Sequence, residues 1–376
     1  MGLFSFLQKE EQRALGIDIG SSAIKIVQIR KKNSQAVLET YGELALGPYA
    51  GQGVGQAVVL PPEKIAQAIM DLMKEKEVGF TTVKCGISIP FSSSLMTVIN
   101  MPDVGTKQLA SMVPLEARKY IPVPIAEVMI DWSVIPKNEV RTEIQEEPVV
   151  EEENGEDRRV VDAGTESHPS IPRIDVLVVA IHKETIARYQ EIVAKAGLDA
   201  GFFEIEVFAT SRAVIDEALR PVMIIDIGAA STKIFIIERG IIRASHTVNR
   251  GSQDITSTIS KSLGIPLEQA EVMKRQVGMA GEDKNLNEII TLNLEYIFSE
   301  IQNTLLAFEK KNNKAVSKVI LVGGGSSLKG LVELARTNFK TDVVSADPFS
   351  KVSAPAFLEK ILKETGPEFA VAIGLA

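Results

Sequence analysis

Ile17-Asp18-Ile19-Gly20-Ser21-Ser22-Ala23-Ile24-Lys25-Ile26 returns, without a gap, as Ile225-Asp226-Ile227-Gly228-Ala229-Ala230-Ser231-Thr232-Lys233-Ile234, and six of the ten positions are identical. Each copy reads as an apolar strand ending at an aspartate, a tight turn of small residues, and a second apolar strand. That is a β-hairpin whose turn presents consecutive backbone N–H groups, a geometry that cradles a phosphate. One D-x-G turn is commonplace. Two in the same register predict two similar halves facing one nucleotide.

The chemistry of each copy follows from its residue types. In the first, Asp18 can hold a Mg²⁺ ion, usually through water, beside phosphates. Gly20 permits the turn, and Ser21 and Ser22 offer amides and hydroxyls to phosphate oxygens. Lys25, on the returning strand between Ile24 and Ile26, is placed to reach the phosphates as a point charge. Alone it would read as an exposed strand lysine; the duplication favours the ligand role. In the second copy Asp226 is the matching metal- or water-orienting carboxylate, and Gly228, Ala229, Ala230, Ser231 and Thr232 form the matching turn.

Outward from the first hairpin the pattern is α/β. Strands are predicted near 15–20, 23–30 and 35–45, a helix over 62–76 opened by Pro62, and a strand over 83–89. A second group follows: strand 95–101, helix 106–120 with Pro114 inside it as a kink or break, and strands 128–135 and 174–181. A helix at 184–196 is closed by Gly197, then a strand near 201–205 and a helix to 219. After the second hairpin (222–237) come a strand over 241–248 and helices over 252–263, 267–276 and 286–310. The strand 318–322 runs into Gly323-Gly324-Gly325, and a helix is expected at 326–337, its N-terminal amides open to a ligand.

Composition sets the bounds. The 376 residues suffice for two or more domains, and 45% apolar with 24% charged residues is ordinary for a soluble protein. No apolar run approaches the roughly 18–20 residues of a membrane span. The Met1–Leu7 stretch fits neither a secretory signal nor a myristoylation pattern and reads as a tail or a weak contact. A single cysteine, Cys85, excludes internal disulfides and suits a reducing compartment. His168, His182 and His246 lack metal-ligand spacing. The net charge of −8 is local. Residues 138–170 hold 11 acidic and 3 basic side chains, leaving the remainder balanced at 38 of each. That acidic stretch reads as a mobile loop, and no basic face points to nucleic acid.

With these motifs in order, the chain resembles the actin, Hsp70 and sugar-kinase ATPase superfamily. The adenosine motif is similar to Val319–Leu328, and the connecting segments to 204–209 and 368–376. The resemblance implies an actin/Hsp70-like ATPase fold, with two RNase H-like halves around a nucleotide cleft holding ATP and Mg²⁺ (metal residues Asp18 and Asp226). Glu206 takes the place where superfamily members orient the attacking water, although an acid at a helix N-terminus explains it equally. Ala270-Glu271-Val272-Met273-Lys274 resembles an element that grips ribose in bacterial actin relatives, which implicates Glu271 and Lys274; a surface ion pair is the alternative. Gly323, Gly324, Gly325 and Ser326 would hold the nucleoside.

Within the superfamily the chain resembles the PilM family of type IV pilus assembly, most specifically at 116–132. The resemblance implies an FtsA-type 1C subdomain insertion and a layout of 1A at 13–90, 183–218 and 347–376; 1C at 91–182, with its acidic loop at 138–172; 2A at 219–264 and 316–346; and 2B at 265–315. It further implies a cytoplasmic adaptor that binds the N-terminal tail of a PilN-like inner-membrane protein in a 1A/1C groove. Contacts with other pilus-platform proteins, and membrane association only through partners, complete that picture. Ala229, Ala230 and Lys233 depart from the ATPase pattern and argue for slow or absent hydrolysis. A filament-forming FtsA/MreB-like ATPase and a sugar or metabolite kinase are the alternatives.

Overall fold

The computed structural model of the protein describes residues 12–135, 172–216 and 219–376. The Met1–Leu7 tail and the acidic loop, apart from Pro172, lie outside the described residues. The chain divides into two compact units, one formed by residues 1–93 with 184–376 and the other by Ser94–Lys183.

The first unit is built on two five-stranded sheets. One is made from β1 (Arg13–Ile19), β2 (Ala23–Lys32), β3 (Gln35–Ala45), β4 (Lys84–Ile89) and a strand at Asp199–Ile205. The second unit contributes β5 (Ser94–Pro102), β6 (Val128–Ile135) and β7 (Arg173–His182), which makes Asp199–Ile205 β8. The other large sheet holds β9 (Val222–Ile227), β10 (Thr232–Glu238), β11 (Ile241–Val248), β12 (Lys318–Val322) and β13 (Asp342–Ser345). The strand orders are β3-β2-β1-β4-β8 and β11-β10-β9-β12-β13. In each, the first three strands run antiparallel and the last two pairings are parallel.

The repeat is carried down to single residues. Ile17 faces Ile26 and Asp18 faces Lys25 across β1–β2; Ile225 faces Ile234 and Asp226 faces Lys233 across β9–β10. Even the bulges match, falling between Gln28 and Ile29 in one copy and between Ile236 and Ile237 in the other. Each bulge lies eleven residues after the isoleucine that opens its motif, at Ile17 and Ile225. Strand alternation sends Ile17 and Ile19, like Ile225 and Ile227, into the apolar cores. The intervening aspartates therefore emerge at the carboxyl ends of the parallel strands, where open α/β sheets bind ligands.

The helices are α1 (Pro62–Lys74), α2 (Thr106–Ala117), α3 (Lys183–Ala196), α4 (Glu206–Val214), α5 (Ser252–Leu263), α6 (Leu267–Gln276), α7 (Lys284–Asn312), α8 (Leu331–Phe339), α9 (Glu359–Thr365) and α10 (Ala370–Leu375). Ile65, Ile69 and Leu72 of α1 and Ile192 of α3 pack with β1 and β2 residues in one core. Phe369, Ala372 and Ile373 at α10 join Val27 and Ile29 in another. This packing is intimate: a Cβ on Gly16 would lie 1.8 Å from the Ala372 carbonyl oxygen, and one on Gly374 would lie 1.9 Å from that of Ala209. In the second half, α5, α7 and α8 bury Ile255, Ile259, Leu294, Ile297 and Leu331 against β9 and β10. The second unit is a β5-β7-β6 antiparallel sheet whose Ile99, Val176 and Val178 pack with Leu109 and Val113 of α2.

Several expected elements differ. The helix expected at 326–337 is a 3₁₀ turn over Gly324–Ser327 followed, after a break, by α8. Gly330 in the left-handed region (φ 86°) produces the break, because a continuous helix cannot pass through that backbone conformation. Helix α4 stops at Val214 rather than reaching 219, and α2 runs through Pro114 as one helix ending at Ala117. Strand β13 and the helices α9 and α10 had no separate sequence signal.

Candidate functional site

A cleft of about 290 Å³ opens within the first unit, and both hairpin turns line it. Each turn is closed by the same bond: Gly20 N–H donates to the Ala23 carbonyl (3.0 Å), and Gly228 N–H to the Ser231 carbonyl (2.9 Å). A Cβ at either position would lie only 3.0–3.1 Å from that carbonyl oxygen, so a larger residue would require the turn to give by a few tenths of an ångström. The second turn is also seated on the start of α5, where the amides of Ser252 and Gln253 donate to the carbonyls of Gly228 and Ala229.

Register explains the charges of the first hairpin. Asp18, Lys25 and Glu43 stand abreast on β1, β2 and β3. The Ser88 hydroxyl donates to Asp18 Oδ1 (2.8 Å), and Lys25 Nζ lies 3.3 Å from Glu43 Oε1. Burial pushes the Asp18 carboxyl up to about 6, helped by the nearby Glu206 charge and opposed by Lys25, Ser88 and Lys233. Burial works against the charge of Lys25, but Glu43, Glu368 and Asp18 outweigh it and hold the ammonium above its ordinary value.

The second hairpin carries a tighter arrangement. Lys233 Nζ is 2.7 Å from Glu206 Oε1 and 3.6 Å from Asp226 Oδ2. Glu206 opens α4 and also accepts the backbone N–H of Phe91 (2.6 Å). Asp226 is raised, by burial first and by Glu206 after it, against the pull of Lys233. Lys233 is itself raised, its desolvation outweighed by Glu206 and Asp226.

Glu271 and Lys274 meet in the same cleft through α6. Their ion pair is 2.7 Å long and both residues are buried. Thr256 donates to Glu271 (2.6 Å) and accepts from Lys274 (2.9 Å), while Arg275 reaches Glu271 at 2.7 Å. Burial opposes the Glu271 charge, yet these three donors win and lower its carboxyl. The surface-pair alternative is thereby excluded for Glu271 and Lys274, which are buried. Gly55, in the left-handed region, approaches this carboxylate so closely that a Cβ would lie 2.6 Å from Oε1.

The glycine loop closes the cleft beside Asp226. Gly323 has φ 83°, and a Cβ there would lie 2.3 Å from Asp226 Oδ1; a Cβ on Gly325 would meet Ile227 at 2.4 Å. Two expected contacts are corrected. Thr232 is fully buried with its hydroxyl donated to the Arg250 carbonyl, and Ser326 is buried with its hydroxyl donated to the Gly323 carbonyl. Neither side chain faces the cleft; Ser327 and Leu328 do. The remaining expected residues, Asp18, Gly20, Ser21, Ser22, Lys25, Glu206, Asp226, Gly228, Ser231, Glu271, Lys274 and Gly323–Gly325, come together along its wall.

Sequence reasoning missed Glu43, Gly55 and Arg275. Arg275 had a signal, its i+4 spacing from Glu271. Glu43 had none, since only the β2–β3 register brings it to Lys25.

Two five-stranded sheets of matching strand order, each bringing a hairpin turn to one cleft, define an actin-like ATPase fold. The family signature described as "Type IV pilus assembly protein PilM" matches residues 16–151 and 160–376. The chain belongs to the PilM family. It is also similar to the cell division protein FtsA of Neisseria meningitidis, 23% identical over 402 residues covering 98% of this chain and 90% of that protein. FtsA of Streptococcus pneumoniae is 23% identical over 353 residues, 86% of this chain and 73% of that one. Among solved structures, the PilM-PilN type IV pilus biogenesis complex is similar at 26% identity and TM-score 0.75, covering 96% of this chain and 97% of that chain. The ethanolamine utilization protein EutJ of Carboxydothermus hydrogenoformans shares the fold at 14% identity and TM-score 0.51, covering 97% and 89%.

Proposed function

We propose that this chain binds ATP with Mg²⁺ between its two hairpins and serves as an adaptor of the type IV pilus inner-membrane assembly platform, where it engages the N-terminal tail of a PilN-like membrane protein. The observation that carries the nucleotide reading is the duplicated Asp–Lys register, with both copies lining one cleft. The partner reading rests on family membership and on likeness, over nearly the whole of both chains, to a PilM-PilN complex. No helix among the described residues is long and apolar enough to cross a membrane. Attachment at the inner face of the inner membrane through the PilN-like partner is part of the same proposal and rests on family membership.

The residues fit both components of the ligand. The cleft wall carries six carboxylates (Asp18, Glu43, Glu206, Asp226, Glu271, Glu368) against four basic groups (Lys25, Lys233, Lys274, Arg275). A polyphosphate entering that surplus of negative charge needs a cation with it. Among the described residues there is no preformed cluster of three or more metal-ligating groups, so phosphate and water oxygens would complete the shell. Asp18 is the stronger anchor because Lys233 already stands beside Asp226. The ion would neutralise phosphate charge. The protein's part is to orient: Lys25 and Lys233 meet phosphates from opposite strands, the Gly323–Gly325 loop admits the base, and Glu271 with Lys274 fixes the ribose side.

Glu206 is held by the Phe91 amide as well as by Lys233, which leaves it poorly placed to orient an attacking water even when Lys233 meets phosphate. Slow or absent hydrolysis follows from that commitment, and the output is conformational. Titration calorimetry of a PilN-tail peptide into nucleotide-free and Mg·ATP-loaded protein tests this. Different affinities are expected; equal affinities would reduce the chain to a passive scaffold. The filament and kinase alternatives gain no specific support.

A further inference from the structure

One carboxylate oxygen in the cleft has two partners that lead in different directions. Glu206 Oε1 receives the Lys233 ammonium at 2.7 Å and the Phe91 backbone N–H at 2.6 Å. Lys233 belongs to the nucleotide-facing hairpin. Phe91 opens the 3₁₀ turn Phe91–Ser93, after which the chain passes into the second unit at Ser94. Strand β10 grips the same turn a second time: the ring of Phe235, two residues after Lys233 and therefore on the same strand face, meets the Phe91 ring edge-on with centroids 4.9 Å apart. Phe235 is fully buried, which fixes this end of the contact, whereas Lys233 lines the cleft.

We propose that Lys233, Glu206 and Phe91 form a relay by which a polyphosphate in the cleft sets the conformation of the turn leading into the second unit. The inference rests on the nucleotide reading above. A terminal phosphate draws the Lys233 ammonium away from Glu206, because its three N–H groups are already shared between two carboxylates and a third, more highly charged acceptor takes its part of them. Once the lysine turns to phosphate, Glu206 is left beside two negative neighbours, the phosphate and Asp226. Repulsion from both concentrates its acceptor charge on the Phe91 amide, which it already holds at 2.6 Å. Ligand charge is thereby converted into a tighter hold on the turn, without any bond being made or broken covalently.

Hydrogen exchange resolved to single amides tests the relay on the full chain, without ligand and with saturating Mg·AMPPNP, occupancy being checked by calorimetry. In the wild type the Phe91 amide is expected to exchange about fivefold more slowly on loading. Lys233→Met at saturation should show no such slowing. Glu206→Gln, which keeps an acceptor but not the charge, should also lose the response, and it serves if the methionine variant does not fold. An unchanged or faster Phe91 amide in loaded wild type overturns the relay, and an equal slowing in Lys233→Met overturns it too. Calorimetry showing no nucleotide bound would instead overturn the nucleotide reading, and the relay with it.

Discussion

Replacing Asp18 by asparagine should stabilise the nucleotide-free protein while weakening its grip on the ligand. Asn keeps an acceptor for Ser88 and mimics the protonated carboxyl, so it removes only the cost of ionising a group that burial has pushed from 3.8 to about 6. Because the folded-state value is raised, the favourable contribution of Asp18 is fully present below about pH 3.8 and is lost as pH rises through about 6. The full difference corresponds to about 3 kcal/mol at neutral pH. Water reaching Asp18 through the open cleft screens part of it, so Asp18→Asn should gain about 1–3 kcal/mol at about pH 7.5 and about a third of that at about pH 4.5. Urea unfolding of wild type and variant at the two pH values measures this directly. The same variant should bind Mg·ATP more weakly, since the stored cost is what the cation would relieve. A variant no more stable than wild type at pH 7.5, or equally stabilised at both pH values, refutes the reasoning.

Other substitutions probe the same frame. Glu271→Ala leaves Lys274 buried without its counter-ion and should cost about 3–5 kcal/mol in urea unfolding, part of which Glu271→Ala/Lys274→Met should recover. Gly323→Ala drives a methyl into Asp226 and strains a left-handed residue; calorimetry should find nucleotide binding lost even where circular dichroism shows a folded chain. Gly374→Ala forces α10 off the Ala209 carbonyl and should destabilise by about 3 kcal/mol or more by the same unfolding assay.

The twin hairpins were legible because their logic is local. An apolar alternation, an aspartate and small turn residues define the motif, and repetition aligns one copy with the other. The shared strand order and the matched bulges follow from that duplication but are invisible until the strands pair. What sequence could not supply came from non-local register and from competing backbone partners. Glu43 becomes a neighbour of Lys25 only through the β2–β3 pairing. Thr232 and Ser326 are the right residue types for a phosphate or nucleoside loop, but each hydroxyl is captured by a nearby carbonyl, Arg250 and Gly323 respectively. The helix expected directly after the glycine loop fails at Gly330, whose positive φ lies beyond a run that otherwise reads as helical. Lys233 stood out in the sequence as a departure; that it joins Glu206 to Asp226 required coordinates.

Calorimetric titration of Mg·ATP into wild type, Lys25→Met and Lys233→Met asks most directly whether both clasps hold one triphosphate. One nucleotide per chain is expected, with each single variant weakening binding by about tenfold or more, as loss of a charge-assisted contact implies. Full wild-type affinity in either variant would mean that its hairpin does not touch the ligand.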